Sequence, residues 1–242
     1  MNIIADTHVH TIASEHAFST LTENLNEAKA KGLRFLAITD HAGKMPGAPS
    51  DTYFFALPGS MPQEYHGVYI VRGCEVNILD DKGTLDLSDL LLSRLEWVIA
   101  SVHGIITAPM SVEQSTNMWL TIAQNPHVDV IGHCGEDKFE FDYERVIPEF
   151  GKNGKVVEIN ANSFRSRPSS VKNCIRIARL CAEHGVPLVL SSDAHWAADV
   201  GNFEGALHIV REANVPEYLI LNADAERFAA FLTQKTGRRF QL

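Results

Sequence analysis

Short apolar, β-branched runs alternate along this chain with longer amphipathic stretches. Seven such runs predict strands, at residues 3–5, 35–39, 68–74, 97–101, 130–132, 156–159 and 187–191. Between them the polar and apolar positions take on a helical period. A helix over 21–31 opens after Ser19 and Thr20, whose hydroxyls suit a first turn, and stops at Gly32. Further helices are predicted over 111–125, ending at Pro126, and over 169–184, ending at Gly185. The helix predicted over 143–152 contains Pro148, a point for a kink or break. Helices over 202–212 and 223–236 complete the pattern. The segment 42–66, with Pro46, Pro49, Pro58 and Pro62, reads as the longest irregular region and as a lid or specificity loop.

Strands alternating with helices predict an α/β fold with a parallel sheet covered by helices. Seven units with no linker, repeat or second composition regime favour a distorted, TIM-like seven-stranded (β/α)7 barrel, one domain over residues 1–242. An open doubly wound sheet is the alternative. Hydrophobic residues at 45% suffice for a large core and exclude disorder. The net charge of -9 disfavours long nucleic acid and anionic membrane as partners. The opening MNIIADTHVH lacks a basic segment followed by a long apolar run, so no secretory leader is expected. The four cysteines include no CxxC pair, which fits a reduced, cytoplasmic protein. A homo-oligomer is compatible with the sequence.

The count that changes the picture is 11 histidines. His8 and His10 follow the first predicted strand in Asp-Thr-His-Val-His, and residues two apart on extended chain point the same way. His16 lies in the loop beyond. His41, Glu75, His103 and His133 follow the next four strands, and Asp193 and His195 follow the last. In a parallel barrel all these ends open on one face. Seven His and two carboxylates would then share one mouth, whereas His66, His127, His184 and His208 fall elsewhere and read as structural or solvated. Nine donors exceed the needs of one ion; three divalent ions taking three or four each would use them all. Imidazole-rich coordination favours Zn2+, with Mn2+ or Fe2+ as alternatives, over magnesium or calcium.

Taken in order, Asp-Thr-His-Val-His, Ile-Thr-Asp-His-Ala, Gly-Cys-Glu-Val-Asn, Ser-Val-His-Gly, Ile-Gly-His-Cys-Gly, Val-Glu-Ile-Asn and Ser-Ser-Asp-Ala-His resemble the PHP (polymerase and histidinol phosphatase) family. The likeness runs from residue 6 to residue 195 and is nearest to its stand-alone bacterial phosphatases with three zinc ions. It implies a distorted seven-stranded barrel. It also implies a first metal on His8, His10, Glu75 and Asp193, a second on Glu75, His103 and His133, and a third on His16, His41 and His195. Cys134 stands where close relatives often have Pro and reads as a small packing residue.

Such a site is a positive patch that would draw in a phosphate dianion and offer a metal-bound hydroxide near neutral pH. The expected activity is hydrolysis of a small phosphomonoester, without a Ser or Cys nucleophile. Arg165, Arg167 and Lys138 lie near the same strand ends and could assist by gripping phosphate oxygens. Glu158, Asn160, Asp6 and Asp40 could orient ligands or hold buried structure. Three other functions remain open on the sequence: a phosphodiesterase or exonuclease on short nucleic-acid ends, an amidohydrolase, and a non-catalytic metal-binding module. An amidohydrolase would prefer eight strands and a bridging modified lysine, where this chain offers Glu75.

Overall fold

The computed structural model describes residues 1–241; Leu242, the last residue of the expected domain, lies outside the described residues. Its strands are β1 (Ala5–Val9), β2 (Phe35–Ile38), β3 (Glu64–Tyr65), β4 (Val68–Asn77), β5 (Trp97–Ser101), β6 (Val130–Ile131), β7 (Val156–Asn160) and β8 (Leu188–Ser191). Seven of them pair in parallel in the order β1-β2-β4-β5-β6-β7-β8 and form a nearly closed barrel. The eighth, β3, is antiparallel to β4 through a two-residue turn at His66 and Gly67, both at positive φ. The helices are α1 (Leu21–Ala30), α2 (Asp51–Ser60), α3 (Asp89–Leu92), α4 (Val112–Gln124) and α5 (Tyr143–Lys152). They continue with α6 (Ser163–Ser166), α7 (Val171–His184), α8 (Glu204–Glu212) and α9 (Ala225–Thr236).

The predicted helix limits follow their caps. Thr20 and Glu23 form a capping box at α1, Ser111 and Gln114 another at α4, and Gly185 closes α7 in the left-handed region. Three expectations need correction. The segment 42–66 is not irregular: it contains α2 and β3, because Pro46 and Pro49 precede the helix, Pro62 follows it, and Pro58 sits in its last turn. Pro148 does not break α5, which runs through it unbroken. Strand β1 begins and ends later than predicted, and β4 extends to Asn77, so His8 and Glu75 lie inside strands.

The interior of the barrel has an apolar lower half. Phe35, Val71, Trp97, Val130, Val156 and Val189 point inward and meet Phe228 and Leu232 of α9, which plugs the bottom. Trp97 packs edge-on against Phe228 at 5.5 Å and Phe231 at 5.8 Å; each buried ring contributes about 2–3 kcal/mol. Outward residues such as Leu36, Ile38 and Ile131 pack under the helices with Leu25, Ile177 and Ile209.

Inward positions keep one parity along each of the other strands, odd on β2, β4, β5 and β8 and even on β6 and β7, yet β1 turns inward both Ala5 and the even pair His8 and His10. A bulge resolves this. Ala5 pairs with Phe35 and Asp6 with Leu36, but Val9 pairs with Ile38, so Thr7 and His8 together face one residue of β2. The extra residue lets Ala5 face the apolar floor and His8 and His10 face the mouth. At the mouth the barrel is narrow: a Cβ on Gly132 would lie 2.1 Å from Ser101 Oγ and 2.7 Å from Ile99.

The seam between β8 and β1 has no full ladder. Val9 and Ala194 form a single parallel bridge near the mouth. Lower down, Asn222 fills the gap: its Oδ1 accepts from Leu190 N–H at 3.0 Å and its Nδ2 donates to Ala5 O at 2.8 Å and Leu190 O at 2.7 Å. Among the described residues no helix is long and apolar enough to cross a membrane. All four cysteines are free and buried.

Asn222→Leu removes this stitch and strands three buried backbone groups. The expected loss is about 3 kcal/mol, or about 6–12 °C in Tm for a chain of this size. Calorimetry showing a change under 2 °C would mean that the seam closes without it.

Candidate metal centre

All nine predicted donors gather at the C-terminal mouth. Glu75 is at their centre, fully buried within β4. Its Oε2 lies 2.7 Å from His41 Nδ1, 3.3 Å from His8 Nε2 and 3.6 Å from His10 Nε2. Its Oε1 lies 3.1 Å from His133 Nε2 and 3.4 Å from His103 Nε2. Asp193 Oδ1 completes the first group, 3.3 Å from His10 and 3.7 Å from His8, whose own Nε2 atoms are 3.1 Å apart. The third group is wider: the ring of His16 lies 5.0 Å from those of His41 and His195.

These spacings fit a cation. A tetrahedron with bonds of about 2.0–2.2 Å has edges of about 3.3–3.6 Å, close to the 3.1–3.7 Å found among His8, His10, Glu75 and Asp193. His41 Nδ1 and Glu75 Oε2 are buried with no hydrogen-bond partner, although they are neighbours. Both atoms are thus left available to a ligand shared between them. Clusters of His10, His41 and His195, of His8, His10 and Glu75, and of His41, Glu75 and His103 each bring their donor atoms within 4.8 Å.

Neighbouring side chains set the orientation of the imidazoles. His8 Nδ1–H donates to Glu158 Oε1 at 2.6 Å, which turns Nε2 toward Glu75. Glu158 also accepts from Ser191 Oγ at 2.6 Å and from the backbone N–H of His133 at 2.7 Å. His103 Nδ1–H donates to Asn77 Oδ1 at 2.8 Å, and Asn77 in turn donates to Asp86 at 2.6 Å. Asp193 Oδ2 receives Asn160 at 3.1 Å and Arg167 at 3.3 Å.

Asp6 and Asp40 hold backbone and loops in place. Asp40 accepts from Thr11 N–H, Thr11 Oγ1, Ser14 Oγ and Tyr53 OH, all within 2.8 Å, and so fixes the loop that carries His16. Asp6 accepts from the N–H groups of Ser192 at 3.1 Å and Gly201 at 2.8 Å, which anchors the segment bearing Asp193 and His195. Two donors sit on strained backbone, His133 at φ 21° and Asp193 at φ 55°.

The electrostatics favour ligand-ready forms at Glu75, Asp193, His10 and His133. Burial pushes Glu75 up, but the charges of His8, His103 and His41 outweigh it and hold the carboxyl well below its usual range. Asp193 is held low in the same way, chiefly by His8. Burial and His41 push His10 well below the usual imidazole value. Burial and Arg167 bring His133 to about 4. His8 goes the other way: burial alone would lower it, but Glu75, Glu158 and Asp193 raise it well above.

The donors open into a cavity of about 590 Å³ walled also by Met45, Pro46, Ile105 and Arg167. Of the three predicted basic helpers, only Arg167 lines it; its Nε is buried without a partner. Arg165 points away, paired with Asp199 at 3.1 Å. Lys138 lies over Gly104, one residue past His103, outside the cavity wall. Sequence reasoning assigned no role to Asn77, although its place two residues after Glu75 on one strand puts both side chains on the same face. Tyr53 and the apolar wall residues had no signal, because they come from loops and helices that no strand-end pattern reaches.

Residues 6–162 match the PHP domain family. A protein named "Probable phosphatase" from Thermoanaerobacter sp. (strain X514) is 43% identical over 97% of this chain and 96% of its own length. One of the same description from Acetivibrio thermocellus is 40% identical over 98% of both chains. Among solved structures, the histidinol phosphate phosphatase of Lactococcus lactis, complexed with zinc, L-histidinol and phosphate, superposes with a TM-score of 0.62. That match covers 88% of this chain and 94% of the other at 16% identity, and it shows the shared fold.

A strong chelator should lower Tm, and a divalent cation should restore it. Metal held at about a thousand times its dissociation constant is worth about 4 kcal/mol, or about 8–16 °C here. Glu75→Ala should lose this response, so a chelator effect that persists in the variant would place the ion elsewhere.

Proposed function

The chain belongs to the PHP domain family, and from that membership and the donor cluster we infer that it is a metal-dependent phosphatase acting on a small phosphomonoester. The observation that carries this reading is the convergence of five imidazoles on the two oxygens of Glu75 within 3.6 Å. We assign His8, His10, Glu75 and Asp193 to one ion, Glu75, His103 and His133 to a second, and His16, His41 and His195 to a third, with zinc the best match to the donor set. When bound, such ions supply a water that ionises near neutral pH and Lewis acidity toward phosphoryl oxygens.

The chain's own residues do the rest. Glu158 and Asn77 fix the rings of His8 and His103. Arg167, held against Asp193 and only 15% exposed, offers its guanidinium to a non-bridging phosphate oxygen. Met45, Pro46 and Ile105 give the cavity one apolar side, against which the carbon part of a small ester can lie. The cavity admits a small ester, and the net charge of -9 opposes a long polyanion. The free, buried thiols fit a cytoplasmic protein acting on soluble metabolites.

The purified protein should hydrolyse p-nitrophenyl phosphate and leave bis-p-nitrophenyl phosphate and a short single-stranded oligonucleotide intact. His10→Ala should reduce turnover by at least about 100-fold and lose metal, whereas His184→Ala, at the exposed end of α7, should keep both. Cleavage of the diesters without the monoester would replace this reading with a phosphodiesterase.

A further inference from the structure

A second cavity, of about 410 Å³, lies beside the metal cavity, between the β7–α6 segment and α8. Phe164, Arg165, Asp199, Asn202, Glu204 and His208 are in its wall. Asn162 lines both cavities, and its amide nitrogen is 3.4 Å from Asp193 Oδ2. The two cavities thus adjoin at Asn162.

The wall carries charges of both signs. Arg165 Nη2 pairs with Asp199 at 3.1 Å and its Nε donates to Asn162 Oδ1 at 3.1 Å, so these two charges largely offset each other. Asp199 and Glu204 together repel a second phosphate or carboxylate. A purely apolar group would leave the donors and acceptors of the wall without partners on the ligand. The mixed wall suits a neutral group that both donates and accepts. Glu204 has no side-chain partner among the described residues and is free to accept, as is the second oxygen of Asp199. Asn202 Nδ2 and the outer nitrogen of Arg165 are free to donate. Phe164, 39% exposed, adds a flat apolar face. Its ring is held edge-on to His208 at 5.4 Å and pressed against Gly205, where a Cβ would come within 2.9 Å of it.

We propose that this second cavity binds the polyhydroxylated leaving group of a sugar or polyol phosphate while its phosphate occupies the metal cavity. Vicinal hydroxyls would bridge carboxylate and amide, and the C–H face of the sugar would lie on Phe164. The proposal rests on the phosphatase reading above and adds the substrate class.

The test compares ribose 5-phosphate, p-nitrophenyl phosphate, O-phosphoethanolamine and 3-phosphoglycerate as substrates for the wild type, Phe164→Ala and Glu204→Gln. Ribose 5-phosphate should be preferred over the cationic and the doubly anionic esters. In both variants the ratio of kcat/KM for ribose 5-phosphate to that for p-nitrophenyl phosphate should fall about tenfold, mainly through KM. An unchanged ratio, or preference for the phosphoamine or phosphoglycerate, overturns the proposal. Saturation-transfer NMR with ribose 5-phosphate supplies a readout that needs no turnover, and Glu204→Gln should weaken that signal. Binding without hydrolysis would overturn the phosphatase reading alone; hydrolysis of p-nitrophenyl phosphate with sugar binding that ignores both variants would overturn this one alone.

Discussion

The buried carboxylate of Glu75 faces more imidazole nitrogens than any hydrogen-bonding scheme can use. Five approach within 3.6 Å, and they divide by oxygen: His8, His10 and His41 toward Oε2, His103 and His133 toward Oε1. A buried charge without compensation costs several kcal/mol, and the compensation has to be positive. Imidazoles whose second nitrogen is already committed, as in His8 to Glu158 and His103 to Asn77, turn lone pairs toward the carboxylate when neutral. Cations between them would convert that repulsion into coordination. The division by oxygen fits the bridging role proposed for Glu75, with each oxygen facing its own set of rings.

Delivering those rings requires the barrel to depart from regularity in several places. The bulge in β1 shifts the inward face from odd to even positions, so that one strand carries apolar floor and mouth-facing histidines alike. His133 and Asp193 adopt positive φ, at a cost of order 1–3 kcal/mol each. The lower half of the barrel makes this affordable. Its aromatic floor around Trp97 and the α9 plug are apolar and tightly packed, and they hold the strands whatever strain the mouth carries. Stability and chemistry are thus separated by height in the barrel, the usual division in this architecture.

That separation also explains what could be read from the chain. Strand ends were legible because the apolar floor writes β-branched runs into every strand, and the donors follow each run at once. The histidines away from strand ends, such as His184 at the end of α7, were set aside on the same rule. The bulge was not legible, because its effect is a change of face that appears only when Val9 is seen against Ile38. Nor were α2 and β3, whose prolines read as breakers until their places before, within and after the helix were known. Arg165 and Arg167 looked equivalent in Asn-Ser-Phe-Arg-Ser-Arg, yet two residues along a short helical turn send them into different cavities.

The two cavities differ in what holds them. The cavity proposed to hold metal is built mainly from strand ends fixed by the barrel. The second cavity is built from α6, the segment after β8 and α8, elements that any change of loop sequence would reshape. Asn162 belongs to both. Its Oδ1 accepts from Arg165 on one side, and its Nδ2 donates toward Asp193 on the other. A rotation of that amide to suit a ligand in the second cavity would alter the hydrogen bonding of a candidate metal ligand. The freedom of the second cavity is therefore limited by the first: wall residues such as Phe164 and Glu204 can change without disturbing the donors, but Asn162 cannot.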